Sequence, residues 1–106
     1  MLDVTITMNV PPEKRKEVLQ TVKVILGPIR RQRGCIRCNY YSDVEDESKF
    51  CFREAWRTRA DLDNHLRSDR FGVLIGALSL LSVEPDVDIA TVSSIAGPEV
   101  IKSVRQ

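Results

Sequence analysis

The chain has 106 residues, with 16 basic and 15 acidic side chains, a formal net charge of +1 and a hydrophobic fraction of 42%. Its size and composition indicate one globular domain, and the balanced charge gives no reason to expect binding to nucleic acid or to a membrane surface. No apolar run approaches the ~20 residues that a transmembrane helix needs, and the N-terminus lacks the basic-then-apolar pattern of a signal peptide. We therefore expect a cytoplasmic protein.

The first strand is predicted from Leu2 to Val10, where hydrophobic and polar residues alternate. Pro11-Pro12 ends it and suits the start of a helix, since proline is tolerated in a first helical turn. Hydrophobic residues recur at helical spacing from Val18 to Ile29. Pro28 lies inside this pattern, and we expect it to kink the helix or to end it one turn before Gly34.

Three cysteines, Cys35, Cys38 and Cys51, are too few and odd in number for a disulfide framework. Cys35 and Cys38 have the spacing of a redox pair, but they follow a glycine in an apparent strand, where positions three apart point to opposite faces. One such pair and one distant histidine supply too few ligands for a zinc site. We expect ordinary buried or half-buried thiols and no bound metal.

A β-hairpin is predicted next, with strands over Cys35–Val44 and Lys49–Arg57 joined by an acidic turn. The second strand alternates, so its aromatic residues share one face with a single carboxylate. The residues on this face are Phe50, Phe52, Glu54 and Trp56.

Two short helices follow the hairpin. Thr58-x-x-Asp61 resembles a capping box that opens the first helix, and Ser68-Asp69 caps the second. The predicted inner faces carry mainly aliphatic side chains together with one imidazole and one phenyl ring. These residues are Leu62, His65 and Leu66 in the first helix, and Phe71, Leu74, Ile75 and Leu78 in the second.

A last strand is predicted within Ser82–Ser94, interrupted by Glu84-Pro85-Asp86. Proline lacks a backbone donor, so we expect an edge strand near Pro85. Gly97-Pro98 begins a tail with hydrophobic residues that can pack on a partner subunit. The chain therefore divides into a domain of residues 1–96 and a C-terminal tail of residues 97–106.

The predicted element order is β-α-β-β-α-β, with the second helix broken in two. This order is that of the α+β ferredoxin-like fold, in which one helical layer covers an antiparallel sheet. The other sheet face is half polar and rich in β-branched residues, which suits pairing with a second copy of the chain.

The chain resembles the antibiotic biosynthesis monooxygenase (ABM) domain family over residues 2 to 94. The resemblance is carried by Gly34-Cys-Ile-Arg-Cys-Asn-Tyr40, Phe52-Arg-Glu-Ala-Trp56 and His65-Leu-x-Ser-Asp-x-Phe71. It implies a homodimer that forms a dimeric α+β barrel, with a pocket in each subunit between sheet and helices. Some members of the family oxygenate polycyclic aromatic or quinol substrates without metal or flavin, others degrade haem, and one group acts on a phosphorylated autoinducer.

The haem-degrading branch is disfavoured by two positions. Its iron-binding histidine would fall four residues beyond Phe71, where this chain has Ile75. Its pocket asparagine would fall on the first strand, where this chain has Ile6. Of the branch's site residues only Trp56 is retained, so we expect no haem and no other cofactor.

The resemblance and the pattern together select six candidate site residues. A neutral His65 would remove a phenolic proton from a bound aromatic molecule, and the resulting electron-rich anion would react with O2. The candidate catalytic residues are His65 and Glu54, and the candidate substrate-binding residues are Trp56, Phe52, Tyr40 and Phe71.

A structural alternative exists for the same residues: His65 and Glu54 form a buried hydrogen bond, and Trp56 belongs to the core. Burial and a neighbouring carboxylate act in opposite directions on a histidine, so the sequence leaves its protonation state open. Two functions follow. One is a cofactor-independent monooxygenase of quinol-like or polycyclic aromatic molecules, with O2 as co-substrate. The other is a non-catalytic dimeric module that binds a small apolar ligand.

Overall fold

The computed structural model describes residues 1–106 as four strands and four α-helices. All neighbouring strands are antiparallel, and their order in the sheet is β2-β3-β1-β4. This arrangement is the α+β ferredoxin-like fold, as predicted. The elements are β1 (Leu2–Asn9), a 3-10 turn (Pro12–Lys14), α1 (Arg15–Arg30), β2 (Cys35–Ser42), β3 (Lys49–Trp56), α2 (Arg59–Leu66), α3 (Asp69–Leu78), β4 (Asp86–Thr91) and α4 (Pro98–Arg105).

The core lies between one face of the sheet and the helices. Alternation in β1 buries every second residue from Leu2 to Met8, as its pattern predicts. Helix α1 contributes a buried stripe from Val18 to Ile29 and ends at Arg30, one turn before Gly34. Pro28 is accommodated inside the last turn of this helix. The predicted inner face of β3 is confirmed, because Phe52, Glu54 and Trp56 are fully buried (the fourth residue, Phe50, is partly buried).

The prediction for Cys35 and Cys38 was wrong about their faces. A β-bulge between Cys35 and Arg37 inserts one extra residue, so Cys35 pairs with Trp56 and Cys38 pairs with Glu54. Both thiols therefore point toward the helices, the side on which their partner side chains lie. The simple period of two fails here because the bulge shifts the alternation by one residue.

The two predicted N-caps are confirmed, and they fix the entry of both short helices. Thr58 Oγ1 accepts a hydrogen bond from the Asp61 backbone N–H at 3.1 Å. Ser68 Oγ accepts one from the Phe71 backbone N–H at 3.3 Å. Gly34, with φ +83°, precedes β2 where an added Cβ would collide with the Asp61 side chain. Glycine is required at that position by both conformation and contact.

The sheet face away from the helices has no helix over it. Its side chains are mostly polar, and Asp3 of β1 forms an ion pair with Arg53 of β3 at 2.9 Å. Arg37 of β2 lies 4.0 Å from the same carboxylate. Asp3 therefore brings two cationic side chains together on this face.

Helix α4 extends away from the rest of the chain, and none of its residues is buried. Its hydrophobic residues Val100, Ile101 and Val104 are 48%, 64% and 79% exposed. The radius of gyration is 15.6 Å, whereas a compact chain of this length has about 13 Å. The sequence pattern predicts only a tail here, and it does not predict that the tail forms a helix.

The last strand is shorter than predicted and begins after Pro85. None of the helices combines the length and hydrophobicity needed to span a bilayer.

Candidate functional site

The predicted catalytic pair meets at the interface of β3 and α2. Glu54 lies on the inner face of β3 and His65 on the inner face of α2, and they are 0% and 1% exposed. His65 Nε2 and Glu54 Oε2 are 2.6 Å apart. The two residues therefore form a direct contact that is closed to solvent.

The orientation of His65 follows from Ser68 and Gln32. Ser68 Oγ lies 2.6 Å from the His65 backbone carbonyl, which cannot donate, so the single hydroxyl proton must point at it. The Gln32 atom 3.2 Å from Ser68 Oγ is then the donating Nε2. Gln32 Oε1 consequently faces His65 Nδ1, at 2.6 Å, and accepts its proton. This network assigns a proton to Nδ1.

The second ring nitrogen, His65 Nε2, lies 2.6 Å from Glu54 Oε2. The angles at these two atoms are not those of a well-aligned hydrogen bond. Two facing lone pairs would repel each other at 2.6 Å, so we infer that one proton is shared by Nε2 and Oε2. The pair is either imidazolium and carboxylate or imidazole and carboxylic acid, and both forms are neutral overall. This neutrality makes deep burial tolerable, because an isolated buried charge is costly.

Two aromatic rings enclose the imidazole of His65. The Trp56 ring stacks on it at 4.4 Å with an interplanar angle of 23°. The Trp56 Nε1–H donates to Glu54 Oε1 at 3.4 Å, a long hydrogen bond. Phe71 contacts the imidazole edge-on at 5.1 Å. Four of the six predicted site residues, His65, Glu54, Trp56 and the partly buried Phe71, therefore form one cluster, which we call the His65 cluster.

An apolar cavity of about 570 Å³ lies beside this cluster, between the inner face of β1 and β4 and helix α3. Its mouth is open to solvent, since Ile75, Val87 and Ile89 are 50%, 54% and 50% exposed. The lining is mostly aliphatic, with one phenyl ring and a few polar groups. The lining residues are Val4, Ile6, Leu66, Phe71, Ile75, Leu78, Ser79, Leu81, Ser82, Glu84, Pro85, Val87 and Ile89.

Phe71 belongs to both regions, because it lines the cavity and touches the imidazole of His65. None of His65, Glu54 and Trp56 lines the cavity. The cavity and the His65 cluster are therefore neighbours with the Phe71 ring as a shared wall.

The remaining two candidate substrate-binding residues lie elsewhere. Phe52 is 0% exposed and pairs with Ile6 in the core. Tyr40 stacks on Phe50 at 5.4 Å, and its hydroxyl lies 3.9 Å from Met8 Sδ. Burial raises the pKa of Tyr40 to about 12. Neither residue is among those that line the cavity.

The positions that disfavour haem both line the cavity. The resemblance places the iron-binding histidine of the haem-degrading branch at Ile75 and its pocket asparagine at Ile6. Each of these isoleucines presents only hydrocarbon to the cavity. No group of three or more His, Cys, Asp or Glu side chains is arranged to hold a metal ion. Burial raises the pKa of the Cys38 thiol, and the neighbouring Glu54 carboxylate adds to the effect.

The sequence pattern gives no indication that Gln32 or the polar residues of the cavity belong to the site. Gln32 follows the end of α1, and no pattern indicates that it would reach His65. Ser79, Ser82 and Glu84 come from the end of α3 and the loop before β4. The one signal for Glu84 is that Glu84-Pro85-Asp86 interrupts an otherwise hydrophobic segment, a pattern that by itself predicts only an edge strand.

The fold and the site together define a ferredoxin-like α+β domain with an apolar ligand-sized cavity between sheet and helix. Residues 1–75 match the family described as antibiotic biosynthesis monooxygenase, and the chain belongs to this family. It is 34% identical over 64 residues to the uncharacterized protein sll1783 of Synechocystis sp.. That match covers 60% of this chain and 44% of the relative, so the chain spans less than half of that protein.

Solved structures share the fold. A conserved protein from Methanosarcina mazei Go1 is 29% identical, with a TM-score of 0.80 over 84% of this chain and 89% of that one. A protein described as an antibiotic biosynthesis monooxygenase is 23% identical, with a TM-score of 0.79 over 89% of this chain and all of that one. Rv0793 from Mycobacterium tuberculosis is 20% identical, with a TM-score of 0.80 over 91% and 98% of the two chains. The last two similarities concern the fold alone.

Proposed function

We propose that the protein is a monooxygenase that acts on a small quinol-like or polycyclic aromatic molecule, with O2 as co-substrate and no metal or flavin. The observation that carries the proposal is the cavity of about 570 Å³. Ligand sites are typically ~300–1,000 Å³, mostly apolar, with a few polar groups that fix orientation. The cavity has this character, and family membership favours oxygenation as its chemistry.

The proposed chemistry needs only an acidic, electron-rich substrate and O2. Loss of a proton gives an anion that supplies the electrons for O2 reduction. One oxygen atom forms a new carbonyl group and the other leaves as water, so a methylene group and O2 give a ketone and H2O. The protein would bind the flat ring system, exclude bulk water from it and accept the proton.

Oxygen uptake tests the proposal directly. The purified protein is incubated with a panel of reduced quinones and anthrone-like tricyclic molecules, with a metal chelator present. We expect protein-dependent O2 consumption with at least one of them and one carbonyl product per O2. Absence of uptake across a panel whose members do bind would overturn the proposal.

A second function is favoured by the enclosure of the His65 cluster. Both ring nitrogens of His65 contact protein groups, and the residue is 1% exposed. A non-catalytic module that binds a small apolar ligand needs the cavity but no accessible base. It would show ligand-dependent thermal stabilisation without turnover.

We also propose that the protein is a homodimer. The uncovered sheet face carries charged and β-branched side chains, and α4 exposes Val100, Ile101 and Val104 without a partner in its own chain. A second copy would cover both surfaces. Light scattering is expected to give the mass of two chains, and deletion of residues 97–106 is expected to weaken the dimer. A monomer at micromolar concentration would contradict this proposal.

A further inference from the structure

The cavity contains one titratable side chain. Its polar lining residues are Ser79, Ser82 and Glu84, and only Glu84 can accept a proton as a base. Ser79 Oγ donates to the Gly76 carbonyl at 2.7 Å, so its proton is already committed. Glu84 forms no ion pair and no side-chain hydrogen bond in the structure. Its carboxylate is therefore free to contact a bound molecule.

His65 cannot take this role in the arrangement observed. Nδ1 already carries a proton and donates it to Gln32 Oε1. Nε2 lies 2.6 Å from Glu54 Oε2, and the pair already holds the proton between these atoms. Phe71 separates the ring from the cavity. A base must reach within hydrogen-bond distance of the proton that it removes, and His65 has no free nitrogen and does not line this cavity.

We propose that Glu84 is the base that accepts the substrate proton, and that the His65 cluster supports the cavity wall through Phe71. This inference rests on the proposed function. Glu84 lies in the loop immediately before Pro85 and β4, at the cavity mouth beside Val87. A flat aromatic molecule that lies against the aliphatic wall would bring its acidic group to this polar edge, where Ser82 can donate a hydrogen bond to the developing oxyanion.

The proposed step balances in protons and electrons. Glu84 takes a proton from an acidic methylene group, and the C–H electron pair stays on the substrate as a carbanion. The carbanion reduces O2 and forms a C–O bond, which gives a peroxide anion. That anion takes back the proton from Glu84, and loss of water from the hydroperoxide forms the carbonyl group. Glu84 is thereby restored to its carboxylate form.

The test compares Glu84→Gln with Glu84→Asp and with His65→Gln. Removal of a general base typically costs 100- to 10,000-fold in rate, so we expect roughly this loss of kcat in Glu84→Gln, partial activity in Glu84→Asp and unchanged ligand affinity in both. Glu47→Gln is the matched control, because Glu47 is an exposed residue of the β2–β3 turn. Wild-type kcat in Glu84→Gln would overturn the inference, as would a folded His65→Gln that binds ligand normally but has lost turnover.

A second measurement isolates proton removal from oxygen chemistry. Under anaerobic conditions, exchange of the acidic methylene hydrogens of a bound anthrone-like molecule for deuterium is followed by NMR. We expect the wild-type protein to accelerate exchange and Glu84→Gln to lose that acceleration. Acceleration without O2 uptake in air would overturn the monooxygenase proposal and leave Glu84 as the base. Equal exchange in both proteins would overturn the role of Glu84.

Discussion

The His65 cluster and the apolar cavity differ in almost every physical respect, although they share the Phe71 ring. The cluster contains the titratable pair and is closed, with Glu54 and His65 at 0% and 1% exposure. The cavity has space for a ligand and an open mouth, but its walls are hydrocarbon except at one edge. The titratable pair that the sequence marks as catalytic is therefore not among the residues that line the cavity.

The difference also separates two carboxylates, Glu54 and Glu84, which lie in unlike surroundings. Glu54 shares its strand face with Trp56, and its two carboxylate oxygens contact Trp56 and His65. Glu84 lies in the loop before β4, next to Pro85, and its carboxylate forms no ion pair and no side-chain hydrogen bond. Burial distinguishes the two carboxylates, because a buried charge needs a partner and a partnered group is not available to a ligand.

The largest expected effect comes from breaking the buried pair. Glu54→Leu leaves His65 Nε2 without its partner in a closed space, and loss of one member of such a pair typically costs ~3–5 kcal/mol of unfolding free energy. Urea unfolding measures this loss. The double variant Glu54→Leu/His65→Leu should lose less than the sum of the two single variants. Asp63→Ala, which breaks the exposed Arg59 pair, is the control and should cost far less. Equal losses for Glu54→Leu and Asp63→Ala would contradict the account.

The wall between the two regions can be removed with Phe71→Ala. We expect a loss of about 2–3 kcal/mol, below that of a fully buried phenylalanine because Phe71 is partly exposed. The cavity should then connect with the imidazole, so exchange of the His65 Nδ1–H with solvent should accelerate. Phe71→Leu should keep slow exchange. The chain has one histidine, so its imidazole NMR signals need no further assignment. Unchanged exchange in Phe71→Ala would mean that Phe71 is not the barrier.

Filling the cavity with a large side chain should weaken ligand binding. Ile75→Trp places a large ring where the ligand is expected, and we expect at least a tenfold loss of ligand affinity, about 1.4 kcal/mol. Val73→Trp is the matched control, because Val73 lies on the same helix with similar exposure and lines a different groove. Isothermal titration with an anthrone-like ketone measures both. Equal affinity in the two variants would place the ligand outside the cavity.

The smallest expected effect concerns Tyr40, which lies in neither region. Its pKa in the folded protein is raised from 10.0 to about 12 by burial. The neutral phenol is therefore favoured by folding, and this contribution is fully present below pH 10 and is lost as the pH rises from 10 to 12. The midpoint temperature of thermal unfolding should decline over this pH window in the wild type, and it should decline less in Tyr40→Phe. An identical decline in both proteins would contradict the burial of Tyr40.

Much of the fold could be predicted from local pattern. Alternation in Leu2–Met8 and Phe50–Trp56 fixed the inner sheet face, and Thr58 and Ser68 marked the two helix starts, because these signals depend only on neighbours in the chain. The faces of Cys35 and Cys38 could not be predicted, since a bulge forms in response to strand pairing. The helix in the tail was missed because eight residues after Gly97-Pro98 give too short a pattern.

The candidate site could be predicted only in part. The contact of Glu54 with His65 and Trp56 could be predicted, because these three residues lie close together in sequence where β3 is followed by α2. Gln32 reaches His65 across 33 positions of sequence, and such a contact leaves no periodic trace. The cavity is a property of volume between β1, β4 and α3, so its polar residues could not be assigned before the elements were in place.

The most direct test of the account is a ligand titration observed at both regions at once. Methyl-labelled protein is titrated with an anthrone-like ketone, and the Ile75 methyl signal and the His65 imidazole signal are followed by NMR. We predict that both shift along one binding curve, Ile75 by contact with the ligand and His65 through the Phe71 ring that touches it. Saturable binding that leaves both signals unchanged would contradict the claim that this cavity, beside the His65 cluster, is the functional site.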